Sequence, residues 1–110
     1  MEVLDYIPLS ETSFFIILSL ATAPKHGYAI MKEVEAMSEK RVVLATGTLY
    51  SALRRMLEDG WIERVTDQNS ITDNRKRKHY QLTKHGRRVL EAEIGRLRKL
   101  VNLTQVHDLR

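Results

Sequence analysis

The sequence predicts a mainly α-helical fold with a small β-hairpin wing: a winged helix-turn-helix extended by a C-terminal dimerisation helix. Three observations carry that reading. Three helical segments succeed one another up to Gly60, the period then shortens across Trp61 to Leu82, and the final segment returns to helical spacing with an apolar stripe. The natural division is 1–82 for the winged helix-turn-helix and 83–110 for the last helix and tail.

Pro8, Leu9 and Ser10 mark the start of a first helix, with Ser10 as N-cap and Leu9 set to pack against Phe14. From Phe14 to Leu20 the segment FFIILSL is apolar almost all round, so that a second chain as well as its own domain is expected to cover it. Ala23 to Gly27 reads as a turn, and Tyr28 opens a second helix to about Met37 with Ile30, Val34 and Met37 on one face. His26 is placed in that turn, as an exposed loop histidine or a phosphate contact. Lys40 to Leu44, short and β-branched, is compatible with a small strand.

The third helix spans Thr46 to Gly60, TGTLYSALRRMLEDG, with Thr46 as N-cap and Gly60 as terminator. Leu49, Leu53, Met56 and Leu57 share one face; Thr48, Ser51, Arg54 and Arg55 take the other. Small polar side chains beside arginines suit a helix that enters a major groove, although a solvated amphipathic helix shows the same pattern. Trp61 to Thr66 alternates as a strand, with Trp61 as a core anchor, and His79 to Leu82 reads as its antiparallel partner. The connecting DQNSITDNRKRK ends in the basic tetrad Arg75, Lys76, Arg77 and Lys78, a wing loop able to follow a phosphate backbone.

Thr83 is the expected N-cap of a last helix from Lys84 to about Thr104. Leu90, Ile94, Leu97 and Val101 recur at steps of four and three, widened by Leu100 and Leu103. Such a stripe outruns the domain before it. A twofold-related copy would cover it, which predicts a homodimer with Phe14, Phe15 and Leu18 of the first helix contributing to the interface.

Charge narrows the partner class. The net charge is +4, but of the 18 basic residues 7 lie between Asn74 and Leu90 with no acidic residue among them, leaving 11 against 14 acidic ones elsewhere. The positive field is local, as double-stranded DNA requires. With no cysteine and four scattered histidines, the sequence offers no metal site, no cofactor motif and no catalytic constellation. No apolar run approaches the roughly 18 to 20 residues of a membrane span. A cytoplasmic, non-enzymatic chain is expected.

These residues resemble the PadR family of bacterial transcriptional regulators. The matching segments are HGYAI at His26 to Ile30, GTLYSALRRMLEDGWI at Gly47 to Ile62, and KHYQLTKHG at Lys78 to Gly86. The resemblance implies a winged helix-turn-helix repressor that dimerises through its first and last helices on an inverted-repeat operator. By position it implies that Thr46, Thr48, Tyr50, Ser51 and Arg54 belong to the recognition helix and its DNA face, that Tyr28 lies near the backbone, and that Arg75 to Lys78 form the wing contact. Tyr50 also borders the core, so packing is an equal role for it. Ser51, where the family often has proline, and Ala45-Thr46, where it often has Ser-Pro, depart from the pattern. Some relatives respond to small-molecule effectors between their last helices; this last helix carries Leu, Ile and Val but no aromatic residue, and the effector's identity is not legible. The competing reading is a winged-helix protein-interaction module, or an architectural DNA binder without sequence preference.

Overall fold

The computed structural model describes residues 3, 6–66 and 78–107 of the chain. In order these form α1 (Glu11–Ser19), β1 (Lys25–His26), α2 (Gly27–Met37), α3 (Thr46–Glu58), β2 (Ile62–Thr66), β3 (Lys78–Leu82) and α4 (Lys84–Val106). Mainly helical architecture with a small antiparallel sheet is what the sequence predicts. The sheet, however, has three strands rather than two, in the order β1-β3-β2.

Local chemistry explains most helix starts. Ser10 Oγ accepts from the Ser13 amide at 3.1 Å, and Thr83 Oγ accepts from the Gly86 amide at 3.0 Å while donating to the Gly60 carbonyl. Each satisfies an amide that the helix itself leaves unpaired. α2 starts one residue before the expected Tyr28, because His26 Nδ1 accepts from the Ala29 amide at 3.3 Å. His26 is thus a half-buried cap and not an exposed loop residue. Thr46 is also corrected: it lies inside α3, and Ala45 occupies the cap position with no side-chain hydrogen bond.

The expected strand at Lys40 to Leu44 does not form. Glu39 and Lys40 adopt φ of 55° and 66°, a reversal that carries the Lys40 amide back to the Glu35 carbonyl at 2.8 Å. Ser38 Oγ then accepts from the Val42 amide at 3.0 Å. Their backbone groups are satisfied locally, which leaves no ladder to join. The third strand comes instead from the segment expected to be a turn: Lys25 pairs with Tyr80 and His26 with His79, on the edge of β3 opposite β2.

One core joins all four helices. Ile16 and Ile17 of α1, Ile30 and Val34 of α2, Leu49 and Leu53 of α3 and Val89 of α4 are essentially inaccessible. Trp61 and Tyr80 close it from the sheet side. Gly60, at φ 75°, turns the chain out of α3 in a conformation that costs a side-chain-bearing residue dearly.

Glu93 is a carboxylate inside this core. Its Oε2 accepts from the Leu9 amide at 2.8 Å, and Arg96 donates to both carboxylate oxygens at 2.5 and 3.0 Å. The Arg96 hydrogen bonds, then the Leu9 amide and the arginine's charge, hold its pKa below the ordinary carboxylate value against the opposing effect of burial. A carboxylate depressed in the folded state stabilises above its unfolded pKa, and the contribution is lost as pH falls through the folded one. Stability should therefore drop as the pH is lowered below about 4.5. Thermal melts of the wild type and Glu93→Gln between roughly pH 3 and 6 check this; the variant is expected to show a flatter acid limb.

Candidate nucleic-acid interface

α3 presents two faces of opposite character. Leu49, Leu53 and Met56 are buried, and Thr46, Gly47, Thr48, Tyr50, Ser51, Arg54 and Arg55 are exposed. This follows from the 3.6-residue repeat: the leucines fall on one side, and the hydroxyls and arginines on the other. The first turn of α3 carries no acidic residue and no side-chain cap, so its amide end keeps the partial positive charge of the helix dipole. A Cβ added at Gly47 would meet nothing within 4 Å, which leaves the backbone open to close approach.

α2 contributes a second strip beside it. Tyr28 is 62% exposed, stacks on the His26 ring at a centroid distance of 6.4 Å, and carries Lys32 Nζ 5.5 Å above its centroid. A cation held over an exposed ring on the second helix supplies both charge and a rigid apolar surface. Tyr50 is 44% exposed, with the hydroxyl end of its ring at Gly27, the first residue of α2.

Lys78, the last residue of the basic tetrad, is exposed at the start of β3, opposite Thr66. Arg75, Lys76 and Arg77 lie outside the described residues, so the expected wing contact rests on Lys78 and the strands that frame it. On α2, α3 and β2, three exposed cations were not among the expected contacts: Arg55 on α3, Lys32 on α2 and Arg64 on β2. Arg55 was legible from its place on the polar side of the helix. Lys32 and Arg64 carry no sequence signal beyond their charge.

The predicted interface residues separate into groups. Leu90 is 4% exposed and belongs to the core of its own chain, because the first two turns of α4 lie against the domain. Phe14, Phe15, Leu18 and Ile94 are partly buried around the core. Phe14, Ile94, Leu97 and Val101, with Arg98 and Asn102, line a groove of about 360 Å³ between α1 and α4. From there to its end the helix carries Leu100, Val101, Leu103 and Val106 all exposed, Val106 at 77%. At 1.5 Å per residue its 23 residues extend roughly 35 Å, in a molecule whose long axis is 57 Å.

Among the described residues no cluster of three or more histidine, aspartate or glutamate side chains is arranged to hold a metal ion. No helix among them is long and apolar enough to cross a membrane.

Several solved proteins share this arrangement. A PadR family transcription regulator from Clostridium difficile R20291 is 24% identical over 89% of this chain and 98% of its own, with a TM-score of 0.72. A PadR-like transcriptional regulator from Bacillus cereus strain ATCC 14579 is 20% identical over 89% and 91%, also at 0.72. Bacillus subtilis PadR, solved in complex with operator DNA, is 21% identical over 79% of this chain and 48% of its own, at 0.66. At such identities the likeness carries the fold. No match is found among curated proteins. At the level of sequence, the transcriptional regulator PadR-like family matches residues 16–92, from the buried isoleucines of α1 through both faces of α3 to the packed half of α4. The chain belongs to the PadR-like family of transcriptional regulators.

Proposed function

We propose that this regulator binds double-stranded DNA as a homodimer, reads an inverted-repeat operator, and acts in the cytoplasm as a repressor. The exposed polar face of α3 carries this reading. Thr48, Ser51 and Arg54 project from a helix whose opposite face is locked in the core, next to an amide end with no acidic side chain. Tyr28, Thr46 and Tyr50 frame that face, and the basic residues Arg75, Lys76, Arg77 and Lys78 are the proposed phosphate contacts. The Bacillus subtilis neighbour, solved with operator DNA, shares the fold. In the division of labour proposed, 1–82 contacts DNA while 83–110 holds two copies together, although the start of α4 also completes the core. The apolar end of α4 supports the dimer, since an uncovered row of Leu and Val is costly in water.

Selection of bound fragments from a random duplex pool tests the reading. An enriched site with twofold symmetry is expected, preferred at least about tenfold over a scrambled duplex, with affinity falling steeply as salt rises. Weak binding indifferent to sequence would favour the architectural or protein-interaction reading. Within the enriched site, Arg54→Ala should cost about 1 to 3 kcal/mol and relax the preference at one position. Alanine at Arg75, Lys76, Arg77 and Lys78 together should instead weaken all duplexes alike and flatten the salt dependence.

A further inference from the structure

The two helices of the helix-turn-helix meet at an unusual point. A Cβ on Gly27, the first residue of α2, would lie 2.5 Å from Tyr50 Oη, 3.0 Å from Tyr50 Cζ and 3.5 Å from Leu49 Cδ2. The far end of the tyrosine ring therefore rests on bare backbone, in a space that any other residue at this position would fill. Gly27 is buried and Tyr50 is half exposed, so the contact sits where the core ends and the solvent-facing surface of α3 begins. Deeper in, Leu49 and Leu53 anchor α3 beside Ile30 and Val34, but aliphatic side chains admit small rotations of one helix on another. A rigid ring seated on a helix terminus limits that freedom.

We infer that Tyr50 is a positioning residue: seated on Gly27, it fixes the angle at which α3 presents Thr48, Ser51 and Arg54, and thereby sets specificity. This rests on the DNA-binding reading above. The ring carbon Cζ faces Gly27 as well as the hydroxyl, so the contact is steric and the ring is the working part. The displaced atom in Gly27→Ala is the end of a side chain that can swing away. The variant should fold, with Tyr50 off its seat and α3 free to tilt.

The test compares affinity for the selected operator and for a scrambled duplex across Gly27→Ala, Tyr50→Phe, Tyr50→Ala and the double variant Gly27→Ala/Tyr50→Ala. Gly27→Ala should lower the operator preference about tenfold while its melting temperature stays within about 3 °C of the wild type. Tyr50→Ala should do the same, and Tyr50→Phe, which keeps the ring, should lose no more than about threefold. The double variant should be no worse than Tyr50→Ala, because residues acting through one contact are not additive. Losses that multiply, a Gly27→Ala variant with unchanged preference, or a Tyr50→Phe loss equal to that of Tyr50→Ala would each overturn the inference. Should Gly27→Ala fail to fold, the Phe-against-Ala comparison at Tyr50 decides alone. A wild type without preference for any site would remove the DNA-binding reading itself, an outcome distinct from these.

Discussion

Gly86→Ala is expected to unfold the chain or leave it marginally stable, losing about 3 kcal/mol or more from a total of about 5 to 15. A Cβ at Gly86 would stand 1.9 Å from the Trp61 carbonyl oxygen and 2.7 Å from its carbon. Both atoms are backbone. They are fixed from several sides: the Trp61 carbonyl accepts from the Thr83 amide at 3.0 Å, the Trp61 amide donates to Met56, and Thr83 caps the helix to which Gly86 belongs. Helix propensity acts in the opposite direction, since alanine is favoured over glycine by about 1 kcal/mol inside a helix. The steric term wins because no rotamer change relieves it; α4 as a whole must move off the Trp61 backbone. Gly95, on the same helix with nothing within 4 Å of its virtual Cβ, provides the contrast. Gly95→Ala should gain roughly 0.5 to 1 kcal/mol. Urea unfolding of the two variants beside the wild type checks both signs in one experiment.

The contrast also shows what a sequence can and cannot disclose. Ser10, Thr83 and Gly60 were legible because a cap or a helix stop is decided within four residues of chain. The two faces of α3 were legible because a helix repeats its pattern over 13 residues. β1 was not, since two residues become a strand only through Tyr80 and His79, more than fifty positions away. Lys40 to Leu44 failed for the converse reason: Val42 and Val43 have the composition of a strand, but Ser38 and the left-handed Glu39-Lys40 pair satisfy the backbone first. Glu93 carried no signal, because the Leu9 amide that encloses it together with Arg96 lies 84 positions away in the chain. At the candidate site the residue types were visible in advance, but the seat of Tyr50 on Gly27 was not, because contact between elements leaves no periodic trace.

Placing aspartate at both Ile94 and Leu97 should convert the proposed dimer into monomers and lower operator affinity by a factor of about 100 or more. Both residues line the groove that Phe14 and Val101 complete, and a carboxylate buried there by a second copy would have no partner to offset its lost hydration. The fall in affinity follows from geometry. In a dimer the second half-site is met at an effective concentration set by the linkage, whereas a monomer meets each half-site from bulk solution. Sedimentation velocity gives the assembly state, and titration of the selected operator gives the affinity. Ile94 also touches its own core, so a destabilised fold could mimic dissociation. Leu100→Asp with Leu103→Asp removes that ambiguity, because those side chains lie outside the groove, are 47% and 52% exposed in the single chain and carry none of its core. The outer pair should leave the melting temperature of the isolated protomer nearly unchanged, yet dissociate the dimer as the inner pair does. A dimer that persists with both pairs replaced would locate the interface away from α4, and one that dissociates only with the inner pair would confine it to the groove beside Phe14.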